Sequence, residues 1–210
     1  LNCSWSGIVT DAPLPRPARR ILALYLPLFP AERLQRQWRL SGAAPPEPPA
    51  KTRLDAPFAL TVLERGRQVL AALDARALAE GLVPGLTLAD ARARLPALAV
   101  FPHDPAADAA CLEWLADGCD RYTPMVAVAP PQGLLLDISG CAHLLGGEAA
   151  LKADIAARLH RLGFSVRLGQ AGNGAAALAL ARHQLARTGD LPVSCLLYTS
   201  PSPRDRQKSR

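Results

Sequence analysis

The sequence predicts an α/β fold, and three observations carry the prediction. Short apolar runs bounded by proline, glycine or charged residues recur along the chain, at residues 21–26, 58–64, 96–102, 125–129 and 134–138, which is the length and punctuation of buried strands. Longer stretches between them place apolar residues at helical spacing, most plainly Leu151, Ile155, Leu159 and Leu162. Half of the 210 residues are hydrophobic, so a sizeable core can form.

The runs at 125–129 and 134–138 are separated by Pro130, Pro131, Gln132 and Gly133 and read as two buried strands around a tight turn. Ser139 and Gly140 break the second strand, and Gly146-Gly147-Glu148 resets the chain before the long amphipathic segment.

Taken in order, residues 1–20 form a proline-broken basic leader ending in Arg16, Arg19 and Arg20, expected to be disordered or partly not native coding sequence, with a nucleic-acid-touching arm as the functional alternative. A strand at 21–26 is followed by a helix at 31–40 that offers Leu34, Trp38 and Leu40 to a core. Residues 41–51 are rich in proline and small residues and read as a loop. Residues 58–64 and 68–72 make a hairpin around Arg65-Gly66-Arg67. After the strand at 96–102, residues 105–121 form a helix with Ala110, Trp114 and Leu115 facing inward. A helix at 151–162, a strand at 164–168 and a helix from Gly174 through Arg182 complete the fold. The glycine-rich Gly169–Gly174 lacks the spacing of a nucleotide-binding fingerprint. From about Ser194 the alanine bias and the periodicity stop, so residues 194–210 read as a non-native-looking tail, with a basic nucleic-acid-binding tail as the alternative.

The formal net charge is +6, three units of which come from residues 204–210, so the remainder is modest evidence for an anionic partner. Cys3, Cys111, Cys119, Cys141 and Cys195 show no paired spacing, which indicates neither a zinc site nor a disulfide framework. His103 and His143 stand apart from other ligand types and read as surface or capping residues. No run approaches a membrane span, and a cytoplasmic location is expected.

Residues 133–148, Gly-Leu-Leu-Leu-Asp-Ile-Ser-Gly-Cys-Ala-His-Leu-Leu-Gly-Gly-Glu, resemble the palm of the Y-family (UmuC-like) translesion DNA polymerases, most closely the ImuB-type branch. The resemblance extends over residues 20–187. It implies a ferredoxin-like palm with an inserted, mostly helical fingers region. The palm would occupy residues 21–57 and 103–187, with the fingers-like region at 58–102. It also implies that the thumb and little-finger domains lie outside this chain, which would make it an N-terminal fragment.

Catalytic relatives carry Ser-Ile-Asp-Glu-Ala-Phe-Leu-Asp where this chain reads residues 130–137, so the metal-holding Asp-Glu pair is replaced by Gln132 and Gly133. Their first-strand aspartate falls at about Tyr25, and the nearest acid, Glu32, is in the following helix. Asp137 remains, although one carboxylate at a strand end also serves as a structural hydrogen-bond acceptor. Residues 73–91 resemble the family's Tyr-Glu-Ala-Arg signature, with Leu73 in place of the tyrosine and Arg76 as the candidate nucleotide-phosphate ligand. The lysine that meets the triphosphate in the family is Gly174 here.

Two-metal phosphoryl transfer needs anionic oxygen ligands to hold two divalent cations about 4 Å apart, and an amide and a glycine are not such ligands. The expectation is therefore a non-catalytic homologue, without metal or other cofactor, acting as an adaptor in DNA repair and damage-induced (SOS) translesion synthesis. Its partners by resemblance are DNA, an error-prone polymerase, a RecA-like accessory protein and the sliding clamp, with no membrane partner. The alternative is an active, magnesium-dependent DNA polymerase. A third reading, an unrelated phosphate-binding protein using Gly169–Gly174, lacks the lysine or Ser/Thr that would complete the loop.

Overall fold

A computed structural model describes residues 19–42 and 56–183. Most of the leader at 1–20, most of the expected loop at 41–51 and the tail at 194–210 lie outside the described residues.

The chain opens with strand β1 (Ile21–Tyr25) and helix α1 (Phe29–Ser41). Pro30 in the first turn of α1 needs no helical donor there, and Gly42, at φ 62°, ends it in a left-handed cap. Next come β2 (Phe58–Glu64) and β3 (Arg67–Leu73), then two short helices, α2 (Ala75–Ala79) and α3 (Leu88–Arg94), and then β4 (Ala99–Pro102). These three strands form one sheet in the order β3-β2-β4. The region expected to be mostly helical thus carries its two helices on a sheet. The β2–β3 turn is Arg65-Gly66 alone, both residues with positive φ, the pairing that a two-residue hairpin demands.

Helix α4 (Pro105–Asp117), strands β5 (Val126–Ala129) and β6 (Gly133–Asp137), a 3-10 turn (Ala142–Leu145), helix α5 (Glu148–Arg161), strand β7 (Arg167–Ala171) and helix α6 (Gly174–His183) follow. The second sheet runs β5-β6-β1-β7, with all its pairs antiparallel. Its strand sequence β-α-β-β-α-β, interrupted once by the three-stranded unit, is ferredoxin-like. The last strand lies three residues later than its apolar pattern suggests. Phe164 is drawn into the core beside Phe29, their ring centroids 5.7 Å apart, and pairing begins only at Arg167.

One face of the four-stranded sheet, through Leu22, Leu24, Leu134 and Leu136, packs with Leu112, Leu115, Leu151, Ile155 and Leu159 of α4 and α5, each such burial stabilising by about 2 kcal/mol. Helix α6 covers the other face through Ala177 and Ala181 against Ala23. A Cβ on Gly169 would overlap the backbone of Ala177 and Ala181, so this glycine lets the helix lie directly on the sheet.

Helix α1 joins the two sheets. Its Phe29 belongs to the first core, while Ala31, Leu34 and Trp38 pack with Phe58, Leu60 and Phe101 of the second. A buried ionic contact reinforces this joint: Arg33 Nε donates to Asp108 Oδ1, and His103 Nε2 lies 2.8 Å from Asp108 Oδ2. His103 is therefore partnered rather than isolated. Trp114, expected inward, is 46% exposed, and the Arg36 guanidinium lies over its ring. The inward positions of α4 are Leu112, Leu115 and Ala116. Among the described residues no helix is long and apolar enough to cross a membrane.

Candidate functional site

Strands β1 and β6 pair so that Tyr25 stands opposite Gly133, and the Leu26 N–H donates to the Gln132 carbonyl at 2.9 Å. The register thus brings Tyr25, Gln132 and Gly133 together at one end of the four-stranded sheet. None carries a carboxylate. A Cβ on Gly133 would sit 3.1 Å from the Ala129 carbonyl oxygen, 3.2 Å from Leu178 Cδ1 and 3.3 Å from the Leu24 carbonyl oxygen. The space a longer side chain would need is held by Leu178 of α6.

The charge at this end is positive. Arg167, the β7 partner of Tyr25, donates from Nη1 to the Arg182 carbonyl at 3.2 Å. The Arg182 guanidinium lies over the Tyr25 ring, 5.7 Å from its centroid, a cation–π arrangement. Among the described residues no group of three or more His, Cys, Asp or Glu is arranged to hold a metal ion.

The nearby acids are committed elsewhere. Asp137 closes the opposite end of β6, facing Ile21, four residues and about 14 Å of strand from Gly133. Its Oδ1 accepts from the Ser139 N–H at 3.0 Å and from Ser139 Oγ at 2.5 Å. These hydrogen bonds, the hydroxyl's first, hold its pKa below the ordinary value. This is a strand-end turn. Glu32 is buried in α1 and accepts from the Ser165 N–H at 2.9 Å and its hydroxyl at 2.5 Å. Burial pushes its pKa up, against the lowering effect of those bonds.

The candidate nucleotide ligands are placed as follows. Arg76 is exposed on α2, which packs on β2 and β3. Its neighbour Asp74 caps that helix, accepting from the Ala77 N–H at 2.9 Å and also tying down the Phe58 N–H at 3.1 Å. Leu73 is core, packed with Ala59, Leu70, Ala77 and Leu82. Gly174 starts α6, and a Cβ there would lie 2.8 Å from Leu135 Cδ1. The run at 169–174 is not one loop: residues 169–171 belong to β7 and Gly174 to α6. Asn173 Oδ1 accepts from the Ala176 N–H at 2.8 Å, so the helix start is capped by its own chain.

The three nearby groups that sequence reasoning missed are Arg167, Arg182 and Leu178. Their types carry no signal, since alanine- and arginine-rich helices are common along this chain. Only the pairing of β7 with β1 and the seat of α6 bring them to Tyr25.

Over 127 aligned residues the chain is 46% identical to Protein ImuB of Caulobacter vibrioides, in both strain NA1000 / CB15N and strain ATCC 19089. Over that stretch the chain is similar to ImuB. The matched stretch is 55% of this chain and 28% of those proteins, so the chain spans about a quarter of the relatives' length. No family model matches it. Among solved structures, DinB from Sulfolobus solfataricus superposes with a TM-score of 0.59 at 16% identity. The post-insertion binary complex of Dbh DNA polymerase gives 0.61 at 17%, and the Dbh insertion ternary complex 0.59 at 17%. Each match covers 78% of this chain and 45% of the solved one. The chain therefore shares the palm-like fold of these polymerases.

Proposed function

We propose that this ImuB-like chain is part of a non-catalytic Y-family homologue that serves as an adaptor in damage-induced, mutagenic translesion DNA synthesis. One observation carries the reading. The end of the palm sheet, where relatives are expected to hold metals, presents a phenol at Tyr25, an amide at Gln132 and no side chain at Gly133. Two-metal phosphoryl transfer requires clustered anionic oxygens, and the groups here do not fit a pair of magnesium ions. Arg167 and Arg182 beside Tyr25 add a repulsive field.

The partners that belong to this proposal are DNA, an error-prone polymerase that does the chemistry, a RecA-like accessory protein and the sliding clamp. An SOS-type setting and a cytoplasmic location are part of the same proposal. Support comes from the name of the sequence relatives and from the DNA polymerase fold of the structural ones. The active-polymerase alternative would need ligands other than the three positions named.

The deciding experiment is primer extension with magnesium or manganese by the full-length protein that contains this chain, together with damage-induced mutation frequency in cells lacking it. The expected result is no extension in vitro and a mutation frequency that falls without the protein. Metal-dependent extension by the unaltered protein would overturn the proposal.

A further inference from the structure

We propose that the groove between helices α1 and α4 is a docking surface for an acidic peptide segment of another protein, one that carries a carboxylate beside a large apolar side chain. This goes beyond the adaptor reading, on which it does not rest.

Helix α1 presents two stripes at helical spacing. Ala31, Leu34 and Trp38 pack with Phe58 and Phe101 of the three-stranded sheet, while Arg33, Arg36, Gln37, Leu40 and Ser41 line the groove, the i, i+3, i+4, i+7 pattern of one helix face. Helix α4 supplies the other wall through Cys111 and Trp114, one turn apart. The first stripe is covered and the second is left open: Leu40 is 72% exposed and Trp114 46%. Two large apolar side chains thus share one groove of about 490 Å³, where cover by a partner's apolar group is favourable.

The charge on the groove selects the occupant. From residue 33 to residue 42 the chain carries three arginines and no acid. Arg33 is neutralised by Asp108, whereas Arg36 and Arg39 form no ion pair among the described residues. Arg36 is already held in place, since its Nη1 donates to the Leu162 carbonyl at 3.0 Å and its guanidinium lies 5.0 Å from the Trp114 ring centroid. A guanidinium anchored in this way loses little freedom on binding, and its other N–H donors match the two oxygens of a carboxylate. An apolar anchor beside a fixed cation is a hot-spot pairing of interfaces.

Two features favour a peptide over other anions. The groove is open to solvent rather than enclosed, so a length of chain can lie in it, whereas a small molecule would keep much of its surface wet. The exposed Glu113 and Asp117 of α4 do not line the groove, but they repel a polyanion such as nucleic acid more than a single carboxylate at Arg36.

The test pans a phage-displayed random dodecapeptide library on the 210-residue chain after depletion on the R36Q/L40A variant, then follows the enriched peptide, synthesised with a fluorescein label, by anisotropy. The expected peptides carry Asp or Glu beside Leu, Ile, Phe or Trp. Binding weakens about tenfold in R36Q, in W114A and when the peptide's acid is changed to its amide. L40A, at a side chain that packs little in the folded chain, weakens binding in the same direction and carries the test if W114A fails to fold. The control L63A/R67Q, an exposed leucine and arginine on the β2–β3 hairpin, binds as the parent does. Bound peptide also slows alkylation of Cys111 but not of Cys141, which locates it in the groove.

No enriched peptide, an enriched peptide without an acid, or equal binding by the parent, R36Q and L40A overturns the proposal. So does a chain that sediments as a dimer dissociated by L40A, which gives the groove to a second copy, or an Arg36-dependent binding of a single-stranded oligonucleotide tighter than that of the peptide, which gives it to nucleic acid. Primer extension, which decides the adaptor reading, is unaffected by any of these results.

Discussion

Restoring a family-like acid at position 133 should damage the fold before it can serve chemistry. In Gly133→Glu the new Cβ meets two backbone carbonyl oxygens, at 3.1 and 3.3 Å, and the Leu178 methyl at 3.2 Å. All three approaches are tighter than side chains ordinarily tolerate. Overpacking of this kind costs about 1–3 kcal/mol. The carboxylate then runs toward the small apolar cluster of Ala23, Ala177, Ala181 and Leu178, where desolvation adds to the cost.

Only the Leu178 contribution can be relieved by mutation, because the other two neighbours are backbone. Leu178→Ala alone costs about 2 kcal/mol, the low end for a leucine that is only partly buried. The double variant G133E/L178A should therefore be more stable than the sum of the single effects predicts, by about 1–2 kcal/mol. Urea unfolding of the four proteins at pH 7, followed by circular dichroism, measures the cycle. Strict additivity, or a G133E protein as stable as the parent, would refute the packing argument. The outcome bears on function, since any attempt to rebuild a metal site with Asp at 25 and 132 and Glu at 133 must also open the space that Leu178 occupies.

Two further predictions follow from the buried and capped acids. Asp108→Asn leaves the Arg33 guanidinium, whose side chain is only 10% exposed, without its counter-ion at the joint between the sheets, and should cost about 3–5 kcal/mol; a shift in urea midpoint worth under about 1 kcal/mol would show that the pair is not buried in solution. Asp137 has its pKa held below the ordinary 3.8 by the Ser139 hydroxyl and N–H. Its contribution is therefore complete above that value and lost as pH falls through the depressed one. Ser139→Ala should destabilise at pH 7 and converge on the parent protein near pH 2, and unfolding curves that stay parallel over that range would contradict it.

Much of the fold was legible because its signals are local. The 125–138 hairpin announces itself by two apolar runs around Pro130 to Gly133, and α5 by leucines and an isoleucine at helical spacing. Asp74, Thr87 and Asp104 cap their helices from within three residues. What failed locally has a physical cause. Trp114 lies at the rim of α4, where the Arg36 guanidinium stacks on it, and a hydrophobic type does not by itself say which side of a helix faces the core. The last strand was misplaced because Phe164 is buried by packing against Phe29 rather than by pairing. In the inserted region, the parallel pairing of β2 with β4 across about forty residues makes a sheet of segments that carry no local sign of partnership.

Residue identity is enough to say which groups stand at Tyr25, Gln132 and Gly133. Side-chain identity alone decides that a phenol, an amide and a glycine are not metal carboxylates, and no folding changes it. What surrounds them depends on long-range packing. Leu178 and Arg182 approach through the seat of α6, which Gly169 permits by presenting no Cβ to the helix, and Arg167 arrives through the register of β7 against β1. These pairings join residues about 140 to 160 positions apart in the chain, and such distant pairs are selected by packing and ladder hydrogen bonding, which single-residue propensities and short motifs do not encode.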